Sequence, residues 1–485
     1  MKAESTKISD EKLTDEKQQL LIDKSSKPLP KIDEILNNSG YNYITWKIIF
    51  LTGFYIFVEG SQLTLMNSLF VPLKNFYELP DNSLTYANSL MFIGVAIGSI
   101  LSGFTSSKIP RNLALTIGMF ISCILTFSIS IFYSFLVFTI LRMIIGIVIG
   151  VMLPLTFGIL SEYLPINYRG FTLIVIWCFY GLGGLYVNIT MNILMPTLNY
   201  DKTNQVIFYL SLPYLFFSFS YLFLLEESPR NLILYNQESE GIKVLERING
   251  APLSQEDRDD IINNIKGGIN KNLEHSLKAL FTEKLKKTTI IQTIIWFCFS
   301  YIFYGGIFSI SLMLNEIGFT PYNLIHKTMI VYSLSMPGNL IGGFLTEVPY
   351  LGRLKTCMIG YGFQSLFIML LPFFLDYIEV LIGLMGLFLN ISFNVTCTYC
   401  SEYYPTRIRD TALGYLYFVT RISGFVSQLI SFYLVSFDFK VQYFFILSQA
   451  ILCFILIFFL PEETHGKPLD IDYDSSGGEK IEQII

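Results

Sequence analysis

The sequence predicts an all-α membrane protein of twelve transmembrane helices arranged as two pseudo-symmetric six-helix bundles, and three observations carry that expectation. Only 15% of the 485 residues are charged while 52% are hydrophobic, with a mean hydropathy of +0.51. A water-exposed surface needs about a quarter charged residues, so lipid is the solvent for much of this chain. Apolar stretches of about 20 residues, enough to span a ~30 Å hydrocarbon layer, recur as two sets of six. The loop signatures of the first set then return in the second: Ser161-Glu-Tyr-Leu-Pro with Arg169 as Ser401-Glu-Tyr-Tyr-Pro with Arg409, Lys108-Ile-Pro-Arg111 as Tyr350-Leu-Gly-Arg353, and Glu226-Glu-Ser-Pro229 as Pro461-Glu-Glu-Thr464. Similar apolar halves joined by a polar loop point to a transporter.

Residues 1–45 are polar, lack a periodic apolar face, and read as a disordered cytoplasmic tail with no cleavable signal peptide. The first bundle occupies 46–225, with stretches at 46–71, 86–106, 113–133, 135–160, 171–195 and 206–225. Residues 226–287 form a charged cytoplasmic loop in which Glu238–Asn249 and Leu273–Lys287 have amphipathic helical spacing. The second bundle occupies 288–460, with stretches at 288–314, 328–347, 355–375, 378–400, 411–436 and 440–460, and 461–485 is a polar tail. Lys108, Arg111, Arg169, Arg353, Lys355, Arg407, Arg409 and the charged loop share one side, which places both termini in the cytoplasm.

Several function classes are excluded or disfavoured. A net charge of −5 carries no nucleic-acid signal. Cys397 and Cys400 sit on an apolar helix without a second ligand pair, so helix packing is expected rather than a metal or cofactor site. The histidines lie outside the apolar stretches and no nucleophile or phosphate motif is present, which argues against an enzyme. In the tail, Glu16 followed by Leu20-Leu21 fits an acidic dileucine pattern read by trafficking adaptors. The expected residence is the plasma membrane or an endosomal, vacuolar or vesicle membrane, as a monomer.

Charges inside a bilayer are costly and mark function. Glu59 lies ~20 Å from the cytoplasmic end of the first stretch and Arg142 ~18 Å from the inner face in the fourth, so the two can pair. With Arg142 close, Glu59 stays ionised; with Arg142 away, low dielectric drives it to take a proton. A static pair between the two helices is the alternative. Arg421 lies ~15 Å deep in the eleventh stretch, where its planar fork can hold a carboxylate through two parallel hydrogen bonds. Gln62, Asn188, Tyr301, Tyr304, Asn390, Asn394 and Gln428 are the further cavity candidates, with interhelical hydrogen bonding as the other use for each. At the cytoplasmic helix ends, Glu162 with Arg169 and Glu402 with Arg409 can cross-link neighbours. Arg111, Glu227, Arg230, Arg353 and Glu462 complete a candidate gate.

Taken together, Arg142-x3-Gly146-x3-Gly150, Glu162-x6-Arg169, Glu227-Ser-Pro-Arg230, Trp296-Phe with Tyr304-Gly305, Tyr399-x2-Glu402-x2-Pro405 and Pro461-Glu-Glu-Thr464 resemble the major facilitator superfamily over residues 46–466. The resemblance is nearest the branch of synaptic vesicle glycoprotein 2-related proteins, organic ion transporters and aromatic-acid symporters. It implies a rocker-switch carrier of a small organic solute, an organic anion by the position of Arg421, with Glu59 and Arg142 as the proton-coupling pair. A sugar or organic-cation carrier, or a non-transporting vesicle-protein-like receptor or scaffold, is the alternative. The chain departs from the family where Ser107 replaces an aspartate and Pro110 a glycine after the second helix, and where Pro349 takes the matching acidic position.

Overall fold

The apolar stretches become helices because lipid offers no partner to a bare peptide group, so each segment has to satisfy its own N–H and C=O groups. In the computed structural model, which describes residues 31–132, 134–194, 202–267, 280–306, 321–348, 350–404, 406–461 and 463–464, a short helix α1 (Lys31–Ser39) precedes the first half. That half holds α2 (Tyr43–Tyr77), α3 (Asp81–Lys108), α4 (Arg111–Ile131), α5 (Phe135–Tyr163), the consecutive pair α6 (Ile166–Val175) and α7 (Cys178–Leu194), and α8 (Lys202–Leu224). The connecting region contributes α9 (Pro229–Leu234), α10 (Glu238–Asn249) and α11 (Gln255–Gly267). The second half holds α12 (Glu283–Ser300), which runs on as a π-turn over Tyr301–Gly305, then α13 (Pro321–Ser335) and α14 (Pro337–Thr346). It ends with α15 (Gly352–Leu370), α16 (Ile378–Tyr403), α17 (Thr406–Phe437) and α18 (Phe439–Ile457).

Among the described residues, eleven helical runs are long and apolar enough to cross a membrane. The remaining expected crossing, 328–347, is not one helix but two, α13 and α14, interrupted at Met336. Pro337 has no N–H to continue the ladder, and the Ser335 carbonyl beside the break accepts from Asn390 Nδ2 at 3.0 Å instead.

Within each half, small residues let backbones touch, as helix pairs in lipid require. A Cβ on Gly94 would lie 2.3 Å from Met143 O and one on Gly146 2.4 Å from Met91 O, so α3 and α5 meet through glycine on both sides. The halves face each other along α3 against α17 and along α6–α7 against α13–α14.

Two expectations change at the end carrying the basic loops. Part of the tail expected to be disordered is helix: Ile32, Ile35 and Leu36 of α1 recur at helical spacing and are buried, with Ile32 and Ile35 packing among Ile233, Ile242, Leu245 and Ile261. This face is short and lies within a polar stretch, which hides it in the sequence. The amphipathic segment at 238–249 forms as α10. Of Leu273–Lys287, the part through residue 279 lies outside the described residues, and Glu283 onward is the start of α12 rather than a separate helix.

Candidate functional site

A cavity of about 950 Å³, its open mouth included, lies between the halves. Its walls are aromatic: Phe299 stacks on Phe393 at 3.9 Å between ring centroids, Trp177 meets Phe393 at 6.1 Å, and Tyr180 meets Phe303 at 5.7 Å. Sequence reading passed over these residues, since an aromatic in an apolar stretch looks like lipid-facing filler. Their spacing was the available signal, with Trp177 and Tyr180 three apart and Phe299 and Phe303 four apart, hence on one helical face each.

Arg421 from α17 lines one end of the cavity, and its Nη2 donates to Glu59 Oε1 of α2 at 2.8 Å. Its Nη1 donates to the Tyr304 hydroxyl at 2.8 Å. Both charged side chains are almost fully buried, and the pair joins the two halves. The π-turn at Tyr301–Gly305 belongs to this arrangement: the extra residue in the turn re-aims the side chains of α12. It directs Tyr304 to Arg421, while the Tyr301 hydroxyl faces Ser431 at 3.2 Å and Gln442 at 3.5 Å inside the second half. Tyr301 is therefore a packing residue of that half and not a cavity residue as expected.

The expected Glu59–Arg142 pair is not formed. Arg142 is wholly buried and donates to Gln62, at 2.8 Å to the side-chain oxygen and 3.0 Å to the backbone carbonyl. Gln62 in turn donates to Thr126 at 2.7 Å. Three residues along a helix turn a side chain by about 60°, so Gln62 faces α5 while Glu59 faces α17. Arg142 reaches Gln62, less than one turn along α2 from Glu59, so azimuth rather than height separates the pair. Gln62 thus serves Arg142 within the first half rather than the cavity.

The amides divide by position. Asn390 and Asn394 line the cavity, and Asn394 Nδ2 donates to Asn339 of α14 at 2.6 Å. Gln428 donates to Tyr304 O at 3.1 Å and accepts from Asn88 at 2.9 Å, tying α17 to α3. Asn188 accepts from Thr328 at 2.9 Å and from Ser68 at 3.1 Å, tying α7 to α13. Tyr86 and Tyr433 meet at 3.2 Å and Thr64 donates to Tyr332 at 3.1 Å. Toward the end away from the basic loops, then, the halves are held by hydroxyl and amide bonds. Toward the basic end they meet through rings, with Phe171 against Phe344 at 5.4 Å.

The repeated loop signatures fold into two matching clasps, each inside one half. In the first, Arg111 pairs with Glu162 at 2.6 Å, and Glu227 accepts from Asn112 N at the start of α4 at 2.9 Å. In the second, Arg353 pairs with Glu402 at 2.8 Å, and Glu463 accepts from Arg353 N and Leu354 N at 2.7 and 2.9 Å at the start of α15. A carboxylate at a helix N-terminus satisfies orphan N–H groups and opposes the helix dipole. The glutamate of each Glu-x6-Arg thus takes the arginine of a neighbouring loop. Arg169 instead lies 3.9 Å from Asp33 of α1, which also holds Arg230. Glu462, the Arg409 side chain, Glu16, Leu20 and Leu21 lie outside the described residues. Nearby, burial pushes the Glu226 carboxyl up, but Lys47 and Arg247, each bonded to it, outweigh this and leave it below the usual range.

Residues 42–474 match the family described as "Sugar (and other) transporter". Among curated relatives, the synaptic vesicle 2-related protein of Xenopus laevis is 23% identical, covering 93% of this chain and 84% of that one. The cis,cis-muconate transport protein of Acinetobacter baylyi is 23% identical over 79% of this chain and 86% of its own. A solute carrier family 22 member 15-like protein of Xenopus tropicalis is 28% identical over 71% and 69%. Among solved structures, the proton:xylose symporter XylE bound to 6-bromo-6-deoxy-D-glucose superposes with a TM-score of 0.71 at 17% identity, covering 88% of this chain and 98% of that one.

Proposed function

The chain belongs to the sugar (and other) transporter family of the major facilitator superfamily, and from that premise we propose that it is a proton-coupled carrier of a small organic anion, working by rocking its halves around the aromatic cavity. The observation that carries this reading is the Arg421–Glu59 pair, 2.8 Å long, buried, and shared between the halves. Arg421 is the charged side chain of the described cavity wall, and its fork presents two donors, one now on Glu59 and one on Tyr304. An incoming carboxylate competes with Glu59 for that fork. Once displaced, Glu59 is a carboxylate in a low-dielectric wall with no cation beside it, and it takes a proton.

Anion binding and protonation are thereby linked at one arginine, and the same exchange removes a tie between the halves. Arg142 then acts on Glu59 through Gln62 and the shared helix α2 rather than by direct pairing. The basic loops, assigned to the cytoplasm, put the apolar ring contacts at the inner side and the hydroxyl–amide ties at the outer side.

The test is uptake into proteoliposomes of a carboxylate panel, with sugars and organic cations as comparison, under an imposed pH gradient. Carboxylates should accumulate with the gradient and not without it. Glu59→Gln should abolish accumulation against a gradient while Arg421→Ala should abolish carboxylate binding. Gradient-independent uptake, or uptake confined to sugars or cations, would overturn the reading.

A further inference from the structure

The far end of the cavity from Arg421 has its own chemistry. Counted along their helices from the basic end, Arg421 is fifteen residues up α17 from Thr406 and Asn394 nine residues up α16 from Tyr403. At 1.5 Å per residue the two are separated by roughly 9 Å along the bundle. Between them stand Phe299, Phe393 and Trp177.

At this second end the unpartnered acceptor belongs to Asn394. Asn394 is 2% exposed; its Nδ2 is turned to Asn339 Oδ1 at 2.6 Å, and its own Oδ1 has no hydrogen-bond partner. Asn390, one turn nearer the level of Arg421 on the same face, turns its Nδ2 to the Ser335 carbonyl at 3.0 Å. A buried carbonyl oxygen left without a partner carries a desolvation cost that a ligand donor removes. No cation stands here among the described lining residues. A second carboxylate would face carbonyl oxygens with nothing to neutralise it.

We infer that the site takes a monoanion whose opposite end bears a hydroxyl or N–H donor about 9 Å from the carboxylate, and that it disfavours diacids. This rests on the reading of Arg421 as the anion-holding group. It also separates this chain from the muconate relative, whose named cargo is a diacid.

Three para-substituted cinnamates of matched shape test it: 4-methyl, 4-hydroxy and 4-carboxycinnamate, titrated by calorimetry into the purified full-length protein. The hydroxyl compound should bind about tenfold tighter than the methyl one, the worth of one hydrogen bond that also satisfies a buried acceptor. The dicarboxylate should be the weakest of the three. In Asn394→Leu the hydroxyl-to-methyl ratio should fall to about one. Equal affinities across the three, a preference for the diacid, or an unchanged ratio in the variant would overturn the inference. If Asn394→Leu does not fold, the wild-type series decides alone. Failure of all three acids to bind, with a sugar or cation binding instead, would sink the anion reading itself and this inference with it.

Discussion

Replacing Glu59 by glutamine removes the negative member of a buried pair and leaves the Arg421 guanidinium with the Tyr304 hydroxyl 2.8 Å from Nη1. At 2.8 Å and an effective dielectric of about 20, the lost attraction is about 6 kcal/mol before desolvation is considered. Removing one partner of a buried pair typically costs about 3–5 kcal/mol, and the lower figure is adopted because Tyr304 remains. The pair spans the halves, so the cost falls on the arrangement seen here and not on one in which they part at α2 and α17. About 3 kcal/mol shifts that equilibrium on the order of a hundredfold. A flexible bismaleimide as long as the two tyrosine side chains it replaces, joining Tyr86→Cys to Tyr433→Cys in a background without the seven native cysteines, reads the population, because the two hydroxyls meet at 3.2 Å across the halves. Cross-linking yield should drop sharply when Glu59→Gln is added and recover in part when Arg421→Gln is added as well. Monodisperse Glu59→Gln protein that cross-links as efficiently as the parent would show that the pair does not hold the halves in this arrangement.

Other expectations follow from the same geometry. Arg353→Ala should destabilise more than Arg111→Ala, by about 3–5 against about 1–2 kcal/mol, because the Arg353 side chain is 9% exposed and that of Arg111 23%; thermal unfolding in detergent ranks them. Gly146→Ala forces a Cβ to within 2.4 Å of Met91 O and should abolish folded yield, as judged by size-exclusion chromatography. Ile35→Asp should undock α1 from Ile233, Ile242 and Ile261, seen as lost amide protection over 31–39 with transmembrane protection unchanged. Glu226 has a lowered pKa in the folded state, so its bonds to Lys47 and Arg247 contribute stability above the ordinary carboxylate range that fades as pH falls through it. Glu226→Gln should flatten that part of the acid-unfolding profile.

The two-half helical architecture is legible in one dimension, because composition, span length and repeated loop signatures are local properties set by the lipid solvent and the hydrogen-bonding needs of the backbone. So are the positions of Glu59, Arg142 and Arg421, since a charge within an apolar run stands out. Their partners were set by how the helices pack. Depth can be counted along a chain, but which helix a side chain faces depends on azimuth and packing, and so Glu59 went to Arg421 and Arg142 to Gln62. The aromatic walls, and the partner that Asn394 finds in Asn339, were harder to read for a related reason: such residues look alike whether they face lipid, a neighbour or a cavity, until the halves close around them. The break at Met336 and the role of Glu463 likewise came from contacts across the fold, where a carbonyl beside Pro337 finds Asn390 and a helix start finds a carboxylate more than a hundred residues away.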